Sequence, residues 1–162
     1  MSRVEEIKIF LPLQALKASI LNRLTKVLSQ NKENNIKSLV AYIVAGDPCE
    51  ESTLELLNGF ALSGVDVIEV GVPFSDPIAE GPIIQSAHDR SLKNGTNLKK
   101  ILKIIKSFRK SNSHTPIVLM GYINGFLANQ SEFSNFSQHG VDGVLIVDLS
   151  LIHISEPTRR YA

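Results

Sequence analysis

The chain has 162 residues, 43% hydrophobic and 20% charged, an ordinary balance for a globular protein. That length holds one domain with a real core, or part of a larger one. A formal net charge of +1 gives no electrostatic reason to expect nucleic acid or an anionic membrane as partner, and a single cysteine, Cys49, excludes an intramolecular disulfide and a cysteine metal cluster.

The first residues, MSRVEEIKIFLPLQALKAS, place acidic side chains where a signal peptide is basic, and Pro12 breaks the short apolar run. No apolar stretch approaches the roughly 18 residues that a membrane helix needs. The chain is therefore read as cytoplasmic. Residues 20–30 have helical spacing, with Ile20, Leu21, Leu24, Val27 and Leu28 on one face. SLVAYIVAGDP (38–48) lacks alternation and predicts a strand buried on both faces, ended by Gly-Asp-Pro. An amphipathic helix over 50–64 stops at Gly64, a natural C-terminal cap. VDVIEVGVPF (65–74) is a second buried strand, and Pro82 suits the first turn of the next helix. NLKKILKIIKSFRKSN (97–112) is a strong helix. Leu98, Ile101, Leu102, Ile105 and Phe108 form its apolar stripe and the lysines its solvated face, as on the outer helix of a barrel. TPIVLMGYI (115–123) is a third strand, 125–138 a weaker helix anchored by Phe133 and Phe136, and GVDGVLIVDL (140–149) a fourth strand.

Strand and helix alternate throughout, which implies a parallel sheet with right-handed crossovers. SGVDVIEVG (63–71) and HGVDGVLIVD (139–148) are related: each enters through Gly-Val-Asp and ends in a carboxylate. Repeated βα units of a (β/α)8 barrel account for this, and so does a doubly wound open sheet.

In parallel α/β folds chemistry collects at the C-terminal ends of the strands. Glu69 lies there among Val67, Ile68, Val70 and Val72. A carboxylate in that setting must be hydrogen-bonded, paired or protonated, and desolvation raises its pKa into the range of a general acid or base. The alternative is a structural carboxylate that ties down loop N–H groups. GVPFSDPIAEGP holds three prolines and two glycines in twelve residues, a shaped loop carrying Asp76 and Glu80. Taken singly, these two read as turn or cap residues. Tyr42, Met120, Tyr122, Leu145 and Val147 are core or rim residues, or the wall of an aromatic-sized pocket. His88, His114, His139 and His153 lack metal-ligand spacing and read as surface or core histidines; no metal site is expected. Cys49 stands beside a helix start without an evident base partner and receives no role.

VAGDP, VIEVGVPFSDPIAEGPIIQ, NGT, PIVLMGY-N and GVDGVLIVDL, in that order and spacing, resemble the tryptophan synthase α subunit over about residues 22–149. The resemblance implies a (β/α)8 barrel that cleaves indole-3-glycerol phosphate to indole and glyceraldehyde 3-phosphate without a cofactor of its own. It also implies a β-subunit partner, in an α2β2 complex, that carries pyridoxal phosphate. By the same resemblance Glu69 matches the catalytic glutamate and Glu80 the second catalytic carboxylate. Tyr42, Met120, Leu145 and Val147 match the walls of the indole pocket, and Tyr122 neighbours the second carboxylate. Pro73 and Asp76 match the loop facing the β subunit. The family pattern has Asp where this chain has Glu80. Such a barrel needs about 250 residues, so only its first four βα units are expected here. Residues 1–21 are an extension relative to the family. SLIHISEPTR (150–159) resembles the in-frame translation of a sequencing-library adapter, so 150–162 are read as a non-native tail. On this reading the 162 residues alone are inactive. A free-standing indole-3-glycerol phosphate lyase and a non-catalytic half-barrel that binds the β subunit are the alternatives.

Overall fold

The computed structural model describes residues 23–148. The expectations for the N-terminal extension, for Ile20 and Leu21, and for the tail 150–162 with His153 lie outside the described residues. In chain order the elements are α1 (Arg23–Glu33), β1 (Val40–Val44), α2 (Glu50–Leu62), β2 (Val67–Gly71), α3 (Pro82–Lys93), α4 (Leu98–Phe108), β3 (Ile117–Gly121), α5 (Ile123–Leu127), a 3-10 segment (Gln130–Asn135), α6 (Phe136–His139) and β4 (Gly143–Ile146). The four strands form one parallel sheet in the order β1-β2-β3-β4. The strands are shorter than the apolar runs that announced them, because each run continues into the loop beyond the ladder.

Side chains alternate across a strand, so strand register sorts residues between two faces. On one face Ile68, Val70, Ile117, Leu119 and Val144 pack with Leu57 of α2 and with Leu98, Ile101, Leu102, Ile105 and Phe108 of α4. The expected stripe of α4 is the buried one, with Ile104 added to it. Asn97 caps that helix by accepting the Lys100 N–H at 3.1 Å, satisfying one of its free amides. Pro82 begins α3 at its first turn.

β1 departs from expectation. It is exposed at Val40 and becomes buried only at Val44. Among the described residues it has one strand neighbour, β2, so its apolar run is covered incompletely. The stretch 125–138 also differs: it divides into α5, the 3-10 segment and α6. Phe126, Phe133 and Phe136 still gather there, with ring centroids 5.3–6.4 Å apart.

The two Gly-Val-Asp repeats are one device used twice. Gly64 and Gly140 take φ of +81° and +88° after α2 and α6, a left-handed turn that glycine adopts without a Cβ clash. The valine N–H then returns to the last helical turn, Val65 to Phe60 O and Val141 to Phe136 O. The aspartate reaches across to the preceding strand of the sheet. Asp66 accepts the Leu39 N–H at 2.8 Å, and Asp142 accepts the Ile117 N–H at 2.9 Å. The second copy is the more heavily built. Asp142 has no exposed side-chain surface and also takes Arg23 and Arg109, each at 2.8 Å. Burial pushes the Arg109 guanidinium down to about 10, against the opposing pull of Asp142.

Candidate active site

The opposite face of the sheet carries the candidate residues. Tyr42 on β1 is in register with Glu69 on β2, and Gly71 is in register with Met120, itself opposite Leu145 on β4. Register thus brings Tyr42, Glu69, Met120 and Leu145 to one face, and Val147 follows two residues beyond Leu145. Val147 is fixed by its N–H to Gly121 O at 3.0 Å. All five side chains are partly exposed, in contrast to the sealed helix-side core. They line the open space over this face of the sheet.

Gly71 shapes that space. A Cβ at this position would overlap the Tyr42 hydroxyl and press on its ring. Gly71→Ala is expected to tilt the ring and to cost about 1–3 kcal/mol, the usual range for overpacking, measurable by urea denaturation.

Glu69 is half-buried, and among the described residues its carboxylate has no hydrogen-bond or ion-pair partner. Desolvation accordingly raises its pKa above the ordinary 4.5.

Glu80 is placed differently. It stands on the loop between β2 and α3, and its carboxylate accepts a hydrogen bond from the Tyr122 hydroxyl. That hydroxyl in turn accepts the Ala79 N–H at 2.9 Å, and burial with the Glu80 contact pushes its pKa up to about 12. Phe74 stacks on the Tyr122 ring at 5.0 Å and 18°. Tyr42 shares this space: burial raises its hydroxyl pKa, and the charges of Glu80 and Glu69 both add to the rise. Its hydroxyl is buried without a hydrogen-bond partner.

In the same loop Pro73 is buried and Asp76 exposed, so Asp76 is the one presented at the surface. AGDP is stapled to α3 through a two-bond Arg90–Asp47 pair at 2.7 and 2.8 Å and through Ser91 to Ala45 O. Its aspartate therefore anchors the loop. His114 is exposed, and His139 lies against Asn135 O. His88 is buried, as a core histidine should be, yet it borders Glu80 and holds the Phe74 N–H. Phe74 and His88 are the site neighbours that sequence reasoning did not single out. The helical position of His88, six residues after Pro82 on a helix packed beneath the loop, is the signal that points to it. Among the described residues no group of three or more His, Cys, Asp or Glu is arranged to hold a metal. None of the described helices is long and apolar enough to cross a membrane.

Comparison with known proteins gives a consistent picture. The family model described as tryptophan synthase alpha chain matches residues 28–160. The tryptophan synthase alpha chain of Marinobacter nauticus is 48% identical over 131 residues, covering 80% of this chain and 48% of the relative. That of Nitrosomonas europaea is 46% identical over 130 residues, covering 79% and 47%. The chain thus spans about half the length of the curated relatives it matches. The crystal structure of tryptophan synthase subunit alpha from Legionella pneumophila superposes with a TM-score of 0.76 at 42% identity, over 79% of this chain and 50% of that one. A chain of the tryptophan synthase complex from Pyrococcus furiosus superposes at 0.65 with 45% identity, over 74% and 49%. The expected α/β architecture, the first part of a (β/α)8 barrel, is borne out.

Proposed function

The chain belongs to the tryptophan synthase alpha chain family, and from that premise we propose that it provides the two-carboxylate half of a site that cleaves indole-3-glycerol phosphate to indole and glyceraldehyde 3-phosphate. The observation that carries the reading is the pair of unlike carboxylates around Tyr42, Glu69 unpaired with a raised pKa and Glu80 held by Tyr122.

The reaction is a retro-aldol cleavage. Glu69, protonated, gives its proton to C3 of the indole, and the ring becomes an indolenine cation. Its N1–H now carries charge and donates a hydrogen bond to the Glu80 carboxylate, keeping its proton. The Glu69 carboxylate then takes the proton of the glycerol hydroxyl next to C3. The carbonyl forms, the C3–C3′ bond breaks, and its electron pair restores the indole. Glu69 ends protonated, as it began. Two carboxylates in unlike surroundings can hold unlike protonation states, which this sequence of transfers requires. Tyr42, Tyr122, Met120, Leu145 and Val147 supply the apolar walls for the indole ring. The chemistry asks for no cofactor from this chain; on this reading pyridoxal phosphate belongs to a partner β subunit, which meets the loop bearing Pro73 and the exposed Asp76. The single cysteine fits a cytoplasmic setting.

The test is indole release from indole-3-glycerol phosphate by the 162-residue chain, and by its residues 1–148 joined to the second half of the Legionella pneumophila relative, each with and without a β subunit. The joined protein is expected to form indole, faster with the β subunit present, and the 162-residue chain to form none. No indole from a folded joined protein refutes the reading. Within that protein Tyr122→Phe deletes the donor to Glu80. It is expected to lower kcat by about 10- to 100-fold, the order expected when a reacting group is misplaced, with thermal stability nearly unchanged. Glu80→Asp restores the family's residue and is expected to leave the reaction running, since it keeps the charge.

A further inference from the structure

Glu80 is held on one side only. Tyr122 donates to Oε2, while on the other side the His88 imidazole stands with Nε2 3.8 Å from Oε1. His88 lies on α3 with 1% of its surface exposed. Its Nδ1 accepts the Phe74 N–H at 3.0 Å. A ring nitrogen that accepts carries no proton, so the neutral ring bears its proton on Nε2. That Nε2–H is buried and has no hydrogen-bond partner. Buried donors in folded proteins nearly always have one. The charged acceptor facing it is the Glu80 carboxylate.

The four side chains form an open ring. Phe74 stacks on Tyr122, Tyr122 bonds Glu80, Glu80 faces His88, and His88 holds the backbone of Phe74. The 3.8 Å separation is the single gap in it. We propose that His88 is a positioning residue for Glu80, its Nε2–H closing on Oε1 when the loop settles over bound substrate and so fixing the carboxylate for the indole N–H. The inference rests on reading Glu80 as the second carboxylate. Burial favours the neutral imidazole that this role needs; Glu80 from the loop and Asp89 from the same helix act in the opposite direction, and burial prevails.

The first experiment is NMR of the 162-residue chain labelled with 15N-histidine, with His88→Gln identifying the resonance. The His88 ring, buried against the loop, is expected to protonate below the ordinary imidazole value of 6.5. Glu80→Gln, which removes the acidic neighbour across the loop, is expected to shift that midpoint further down. A midpoint that ignores Glu80→Gln overturns the proposal, as does a His88 midpoint at or above the ordinary imidazole value.

The second experiment separates anchoring from positioning in the joined protein used for the activity assay. His88→Asn keeps an acceptor at the Nδ1 position for the Phe74 N–H but has no donor that reaches Glu80. His88→Gln places an amide N–H at the Nε2 position. His88→Asn is expected to lower kcat by about 10-fold or more with KM nearly unchanged, and His88→Gln to recover most of the loss. Equal kcat for the two variants, or losses that follow thermal stability, overturns the positioning role. If the NMR coupling holds and no indole forms, the reading of the reaction fails and the pair stands; indole release without the coupling is the reverse.

Discussion

Glu69→Gln is expected to reduce indole formation by about 10²- to 10⁴-fold, the range for removing a general acid or base, in the barrel completed with a relative's second half. The amide keeps the size and register of the side chain, so pocket walls and substrate affinity are retained, and the loss appears in kcat. The same variant is expected to be more stable than the parent at neutral pH. Partial burial without a partner raises the Glu69 pKa in the folded state above its ordinary value. A carboxyl group of that kind favours folding while protonated, and the benefit is lost as pH rises from about 4.5, the ordinary value, through the raised one. Glutamine carries no charge at any pH. The thermal midpoint of Glu69→Gln should therefore exceed that of the parent above this window and match it below. Kinetics and melting curves across pH 3 to 8, taken on one preparation, check both halves. Retained activity, or a loss of stability at neutral pH, would instead mark Glu69 as a structural carboxylate.

The largest expected stability effect lies at the other end of the sheet. Asp142→Ala removes the acceptor shared by Arg23, Arg109 and the Ile117 N–H. Arg109 is 12% exposed and remains charged with its partner gone. Breaking one side of a buried ion pair costs about 3–5 kcal/mol, because the charge left behind is uncompensated. Asp66→Ala, in the equivalent position but without arginine partners, is expected to cost about 1–2 kcal/mol. Urea denaturation of the two variants side by side checks the ordering. Equal losses would mean that the arginines add nothing to the second repeat.

The site residues are legible through the resemblance, motif by motif, and strand register then sets Tyr42, Glu69, Met120 and Leu145 on one face. The α4 stripe is legible from the residues themselves, a period of 3.6 read against one apolar face. What depends on tertiary placement is not. β1 has the composition of a strand covered on both sides, and coverage depends on neighbours its own residues do not name. The stretch 125–138 has anchors for one helix but breaks in three, because its phenylalanines close on one another instead of lining a stripe. His88 is a buried histidine by composition alone. Its bearing on Glu80 arises only when the loop folds back over α3.

The Gly-Val-Asp pins have a consequence for the chemistry at the far end of the strands. Each fixes the axial position of a strand before the ladder begins, as a foot set on a ruler fixes every mark above it. Asp66 sits three residues before Glu69, and its bond to Leu39 settles which residue of β1 stands beside the carboxylate. A slip of one residue would turn Glu69 toward the helices and bring Ile68 or Val70 into the pocket. The altitude of the Glu69 carboxylate is thus surveyed from the floor of the sheet, by a side chain three residues below it.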